Sequence, residues 1–365
     1  MRNQARFLLI RHWPSASGRA QIKRTTMKLH NTLILIGGAA VALTASCAKS
    51  DTATSNEQSK EYIDAWVSMK YPEATQTSVG AYILEDTPGD GAEYNGEAYV
   101  FVSYTLASMS GTISSTTEES VAKQVGTYED GNYYGAQTWY TGNENLSVGI
   151  ESVLQGMRIG ETRKALIPSW LLVFDRKEDP ADYIKKTNKS SSTGIYELTL
   201  HGFTEDIRAD QIARIEKWCD TKYGHLDSLS YGFYYKELAE PADDEAFPSD
   251  TTIKINYIGR LLNGQVFDTN IRDTARKYNI YDSSTTYKPA SIVWGDSSDD
   301  LTFKASGSSS ESSVVTGFSK LLWEMRPGGK SAAIFISDYG YGYSGSGDRI
   351  PAYAPLEFEV EIVDE

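Results

Sequence analysis

Two cysteines and four histidines among 365 residues leave little material for metal or redox chemistry. His12, His30, His201 and His225 stand apart from any cysteine pair, so no spacing of the zinc-ligand kind occurs. No glycine-rich phosphate loop follows a strand-like run, and no Gly-x-Ser-x-Gly elbow is found. These absences remove most cofactor-dependent and nucleophilic enzymes, and the sequence calls for no cofactor and no metal. Positive charge is scarce too, with 35 Lys and Arg against 49 Asp and Glu and a net charge of −14. Seven of the basic residues (Arg2, Arg6, Arg11, Arg19, Lys23, Arg24 and Lys28) fall within 1–46, where no acidic residue occurs. The other 28 face all 49 acidic residues, so residues 47–365 carry −21. A body this acidic argues against nucleic acid as a partner, because phosphate binding depends on Lys and Arg.

Long apolar runs are missing apart from one near the N-terminus. From Met27 the chain reads MKLHNTLILIGGAAVALTASC, a basic start followed by an apolar stretch from Thr32 to Leu43. That stretch is short of the ~20 residues a spanning helix needs and has the form of a signal-peptide core. It ends in small residues before Cys47, which resembles a bacterial lipobox with Cys47 as the lipidated residue. Thr44 and Leu43 depart from the strongest form of that pattern. The expectation is an upstream extension over 1–26, a lipoprotein signal peptide over 27–46, and a flexible tether over 47–60, rich in small polar residues. A lipid-anchored envelope protein follows, most naturally of the outer membrane, periplasmic or surface-exposed. With Cys47 acylated, Cys219 has no partner and no disulfide can form.

What the sequence does contain is a repeat. Trp66, Lys70, Tyr71, Gly80 and Tyr82 recur as Trp218, Lys222, Tyr223, Gly232 and Tyr234. Gly149, Met157, Arg158 and Gly160 recur as Gly317, Met325, Arg326 and Gly328, at a spacing 16 residues longer. Two domains are expected, over 61–207 and 208–365, which the length accommodates. Each opens with a helix (57–70, 209–221), then strands around Tyr82 or Tyr234. Tyr99–Tyr104 and Ile253–Tyr257 alternate as strands do. Val315, Phe318, Leu322 and Met325 are spaced for one buried helical face. Pro327-Gly328-Gly329 ends that helix, and an apolar strand follows over 332–336. In the last strand Leu356, Phe358, Val360 and Ile362 face inward, while Glu357, Glu359 and Glu361 read as a solvated row. The fold class is α+β, an antiparallel twisted sheet packed on one short helix in each domain, each preceded by an N-terminal helix.

One stretch of the second copy, GRLLNGQVFDTN, sets an aspartate beside a phenylalanine at a strand end, which alone reads as a turn cap. Its neighbours change that reading: Tyr257-x-Gly259, Asn263-Gly264-x-Val266-Phe267-Asp268, Val314-Val315-x-Gly317-Phe318, Met325-x-x-Gly328, Tyr339-Gly340-Tyr341-Gly342, Ile350-Pro351 and Leu356-x-Phe358-x-Val360-Glu361. In this order they resemble an FKBP-type peptidyl-prolyl cis-trans isomerase from about Thr252 to Val363. The resemblance implies an aromatic pocket with Tyr257, Phe267, Asp268, Tyr341 and Phe358 as its catalytic residues. Leu301, Val314, Val315, Phe318 and Ile350 would bind substrate. Phe318 stands where many members have tryptophan, Leu301 where they often have phenylalanine, and Ser346 where histidine is common, so a smaller and less aromatic site is expected. The resemblance further implies that Tyr341 hydrogen-bonds the substrate carbonyl and that Asp268 orients polar groups without transferring a proton.

The first copy departs from this pattern. Tyr104 matches Tyr257 and Gly111 matches Gly264, but Ser114-Ser115 replace Phe-Asp and Trp170-Leu171-Leu172-Val173 replace Tyr-Gly-Tyr-Gly. It is expected to keep the fold without the pocket chemistry. Residues 269–300 form a longer connection than compact members have, with Tyr278, Tyr281, Tyr287 and Trp294. It reads either as a client-selecting loop or as a flap packed on its own aromatics. Two functional classes stand: an isomerase acting on X-Pro bonds of exported proteins and assisting their folding, whose partners are proline-containing polypeptides and, through the anchor, a membrane; or a non-catalytic lipoprotein that grips polypeptide or envelope partners.

Overall fold

The computed structural model describes residues 55–142, 145–185, 192–304 and 311–364. The proposed extension, signal peptide and Cys47 lie outside the described residues. In the first unit the order is α1 (Ser55–Lys70), β1 (Thr75–Gln76), β2 (Tyr82–Thr87), β3 (Tyr99–Ala107), β4 (Ile113–Thr116), α2 (Glu119–Val125), β5 (Gln137–Tyr140), α3 (Val148–Leu154), β6 (Thr162–Ile167), α4 (Ala181–Ile184) and β7 (Gly194–Thr204). The second unit continues with α5 (Ile207–Lys222), β8 (Ser228–Ser230), β9 (Phe233–Ala239), β10 (Thr252–Leu261), β11 (Val266–Thr269), α6 (Arg272–Lys277), β12 (Ala290–Val293), β13 (Thr302–Lys304), β14 (Glu311–Ser313), α7 (Thr316–Glu324), β15 (Lys330–Phe335) and β16 (Leu356–Val363). Helix α1 begins inside the segment expected as tether. Ile63 and Val67, one helical turn apart, are buried on the sheet and draw the preceding turns into the helix.

The two sheets have one topology. The first runs β2-β6-β7-β3, with β4 and β5 both paired to β3; the second runs β9-β15-β16-β10, with β11 and β12 both paired to β10. Register agrees as well: Tyr104 lies opposite Leu198 as Tyr257 lies opposite Val360. Each hairpin turns on a glycine in left-handed backbone, Gly111 at φ 91° and Gly264 at φ 89°, where any side chain is disfavoured. Behind each sheet a helix glycine admits a close approach. A Cβ on Gly149 would sit 2.4 Å from Ile167, and one on Gly317 would sit 2.4 Å from a Phe335 ring carbon. Trp66 meets the Tyr71 ring and Lys70 lies over Trp66, while in the second unit Lys222 lies over both Trp218 and Tyr223. Tyr82 donates to Asp64 at 2.5 Å, and Tyr234 to Glu216 at 3.2 Å.

In the second unit α7 packs on one face of the sheet through Phe318, Leu321 and Leu322. Helix α5, capped by Asp206 accepting from the N–H groups of Arg208 and Ala209, packs on the other through Ile215 and Cys219 against Tyr234, Ile334 and Ile336. This second layer corrects the reading of the glutamate row. Glu357 is fully buried: it accepts from Trp218 Nε1 at 2.5 Å and Tyr223 OH at 2.9 Å, and pairs with Lys222. Glu359 is mostly covered beside Lys330 and Arg260, and only Glu361 faces solvent. The alternation holds in phase, but α5 covers what an isolated strand would expose. The burial of Cys219 raises its thiol to about 12, which leaves it protonated and inert at neutral pH.

Candidate active site

Strand β10 alternates in burial, with Ile253, Ile255, Tyr257 and Leu261 turned into the core. Gly259 shares that face, and a Cβ there would lie 2.5 Å from the Phe267 ring and 2.9 Å from Phe358. Glycine at 259 is therefore what lets the Phe267 ring cross β10. Phe267 meets Phe358 edge to face at 5.5 Å, Phe358 meets Phe318 at 5.0 Å, and Phe318 meets Tyr257 at 5.9 Å. Such arrangements match the ring quadrupoles. Leu301, Val314, Val315 and Ile350 belong to the same cluster, and Tyr341 packs against its edge. The structure thus gathers all ten sequence-derived pocket residues in one place, on β10, β11, α7, β16 and the loops between them.

They do not share one level of exposure. Phe267, Val315, Phe318 and Phe358 have no exposed surface and form the floor's support. Leu301 and Ile350 are 1% exposed, Tyr257 3% and Val314 6%, while Asp268 and Tyr341 keep partly open edges. Asp268, Tyr341 and Val314 are therefore the least covered of the ten, with the rings beneath them.

At the polar edge Tyr257 OH donates to Asp268 Oδ2 at 3.0 Å. Burial among the rings pushes the Asp268 carboxyl up to about 6, against the pull of the Tyr257 hydroxyl, the Thr269 N–H and the Arg349 charge. The same burial, reinforced by the Asp268 charge, holds the Tyr257 and Tyr341 phenols well above their ordinary value. Both therefore remain hydrogen-bond donors at any physiological pH.

Three supporting residues escaped the sequence reading. Thr269 Oγ1 donates to the Tyr257 carbonyl at 2.6 Å, and Asn270 Oδ1 accepts from the Tyr257 N–H at 2.8 Å. Asn270 Nδ2 also donates to the Ile255 and Lys288 carbonyls, tying β10 to the long connection. The polar Asp-Thr-Asn run after Phe267 was the available signal. Arg349 Nη1 donates to the Phe267 carbonyl at 3.2 Å, a contact 82 residues apart that no local pattern announces. The long connection resolves mainly as a flap packed on its own aromatics and on the core. Trp294 is buried and stacks on Trp323 at 5.7 Å, and Tyr278 and Tyr287 pack on Val266, Ala275 and Ile280. Tyr281 stays exposed, stacked on Tyr287 at 5.3 Å.

The first unit lacks this edge. In the paired strands Leu106 holds the place of Gly259, Ser115 that of Asp268 and Tyr196 that of Phe358. Tyr104 OH lies 3.4 Å from Ser115 Oγ, a longer and uncharged version of the Tyr257–Asp268 bond. Among the described residues no group of three or more His, Cys, Asp or Glu is disposed to hold a metal, and no described helix is long and apolar enough to cross a membrane.

The family model for FKBP-type peptidyl-prolyl cis-trans isomerase matches residues 243–363. The chain is similar to the macrophage infectivity potentiator of Trypanosoma cruzi, 27% identical over 135 residues, covering 37% of this chain and 54% of that protein. It is also similar to a probable FKBP-type peptidyl-prolyl cis-trans isomerase of Haemophilus influenzae, 25% identical over 134 residues, covering 36% of this chain and 42% of that protein. The chain thus spans about half the length of these curated relatives. Similar solved structures include a peptidyl-prolyl cis-trans isomerase from Pseudomonas syringae pv. tomato (23% identity, 45% of this chain and 98% of that one, TM-score 0.29) and FkpA from Escherichia coli (22% identity, 43% and 58%, TM-score 0.30). With the pocket order and the family match in agreement, residues 243–363 belong to the FKBP-type peptidyl-prolyl cis-trans isomerase family.

Proposed function

We propose that this protein is a peptidyl-prolyl cis-trans isomerase whose activity resides in the second unit. The observation that carries the reading is the Tyr257–Asp268 pair, with Tyr341 beside it, set at the edge of a closed aromatic floor inside the family domain. Rotation about an X-Pro bond faces a barrier of roughly 18–20 kcal/mol from amide resonance. The twisted transition state has lost its charge-separated resonance form, so an apolar floor holds it better than the planar ground state. Tyr341, protonated throughout, donates to the substrate carbonyl. Asp268 holds the Tyr257 hydroxyl in place and shapes the field at the rim; no proton is transferred, so no general base is required. A thousandfold acceleration requires about 4 kcal/mol, which shape and two or three oriented dipoles supply.

The substrates are X-Pro bonds of exported polypeptides, and the role is assistance in their folding. The signal-like run from Met27 and the lipobox-like end at Cys47 support an envelope lipoprotein anchored by acylated Cys47. NMR exchange spectroscopy on several X-Pro peptides tests the activity directly, with accelerated cis-trans exchange on adding the full chain as the expected result. A folded chain that binds the peptides without accelerating exchange would leave only the non-catalytic binding role. Cys47→Ala should move the protein from the membrane to the soluble fraction; sedimentation with membranes in high salt would place the anchor elsewhere.

A further inference from the structure

The first unit reaches the rim of the second unit's pocket through the loop 128–136. The Gln265 amide, next to the Asn263-Gly264 turn, donates to the carbonyls of Gly131 and Asn132 at 3.0 and 3.1 Å. The Tyr133 N–H donates to the Asp348 carbonyl at 2.7 Å, and the Tyr133 ring packs on the second unit's core. Gly131 sits at φ 82°, and a Cβ there would lie 2.8 Å from Ile280, so the approach is close as well as bonded. Both anchor points lead directly to the pocket. Gln265 precedes Phe267 and Asp268 by two and three residues. Asp348 adjoins Arg349, which holds the Phe267 carbonyl, and Ile350, which belongs to the pocket cluster.

We propose that the loop 128–136 is an intramolecular brace that fixes the pocket rim, with Tyr133 and Gln265 as positioning residues for the Arg349–Phe267 contact and Ile350. The first unit then has a use that needs no pocket of its own. The physical reason is the geometry of the 345–353 segment. It is closed by reciprocal hydrogen bonds between Ser346 and Ile350, and its three consecutive positions 348–350 face three different neighbours. Tyr133 holds the first of these and Phe267 the second, leaving Ile350 set against the floor. Without the outer contact, Arg349 and Ile350 sample more positions, and substrate binding must order them.

This inference rests on the isomerase reading, and its test separates the two. In the full chain, Gln265→Ala removes both amide bonds to the loop, and Tyr133→Ala keeps the N–H bond to Asp348 but removes the ring that packs on the second unit's core. Each should raise KM for an X-Pro peptide about threefold to tenfold with little change in kcat. Amide exchange at Ser346 and Ile350 should quicken by a similar factor, a readout that needs no activity. Tyr133→Phe should behave as the unmodified chain, because the lost hydroxyl bonds only the Ala136 carbonyl within its own loop. Should Tyr133→Ala unfold the second unit, Gln265→Ala decides alone. Unchanged exchange at both amides together with unchanged KM in folded Gln265→Ala overturns the brace. An inactive unmodified chain with quickened exchange in the variants keeps the brace and removes the isomerase reading.

Discussion

The two units share a strand order, a hairpin glycine and a helix glycine, yet differ at the positions that in the second unit carry the polar edge. Leu106 in the first stands at the register position of Gly259, which in the second leaves room for the Phe267 ring. Ser115 offers Tyr104 an uncharged partner at 3.4 Å, while Asp268 offers Tyr257 a carboxylate at 3.0 Å. The comparison separates what the fold needs from what the chemistry needs. The positions shared by both units are those where backbone conformation or close packing leaves no choice.

Grafting the first unit's residues onto the second tests this division. Gly259→Leu should have the largest effect, displacing a fully buried ring at a cost of about 4 kcal/mol and removing catalysis. Urea denaturation and the exchange assay together read it; a stable, active variant would mean the ring does not depend on glycine. Glu357→Ile copies Ile195, which occupies the matching place beside β6. Here Trp218, Tyr223 and Lys222 lose their acceptor, and destabilisation of about 3 kcal/mol is expected. A neutral result would show that α5 packs without that carboxylate.

A smaller effect separates the units by pH. Asp268 binds its proton more tightly folded, at about 6, than in the unfolded chain, near the ordinary value of about 3.9. The stability linked to it is fully present below about pH 4 and is lost as pH rises through about 6. Asp268→Asn should remove this slope, worth about 2 kcal/mol across the window, whereas Ser115→Asn should leave it untouched. Denaturation curves at pH 4.5 and 6.5 check the difference, and equal slopes in the unmodified chain and Asp268→Asn would contradict it.

Much of this comparison is legible in the sequence. The recurring Trp-Lys-Tyr and Gly-Met-Arg-Gly spacings marked two copies, because each set serves one packing motif, helix against sheet or helix end against strand. Alternation in β16 placed Leu356, Phe358, Val360 and Ile362 inward, where they are found. It misjudged Glu357, because period two reports which face a residue takes and not whether a helix covers that face. Trp218, Lys222 and Tyr223, three donors on one helix end, were the hint that an acceptor lay beneath them. The pocket residues are named through the ordered family pattern; eight of them lie in one buried cluster, with Tyr341 against it and Asp268 bonded to Tyr257 at its edge. Asn270, Arg349 and the 128–136 loop act across long sequence separations, which no local pattern carries.

The central claim is that catalysis depends on the polar edge of the second unit and not on the fold the units share. The most direct test is kcat/KM for an X-Pro peptide, measured on the full chain and on the full chain carrying Asp268→Ser and Tyr341→Phe, with thermal unfolding followed alongside. We expect at least a hundredfold loss, about 2.7 kcal/mol, in a variant that unfolds cooperatively near the temperature of the unmodified chain. An unchanged kcat/KM in that folded variant would contradict the account and place the activity away from this edge.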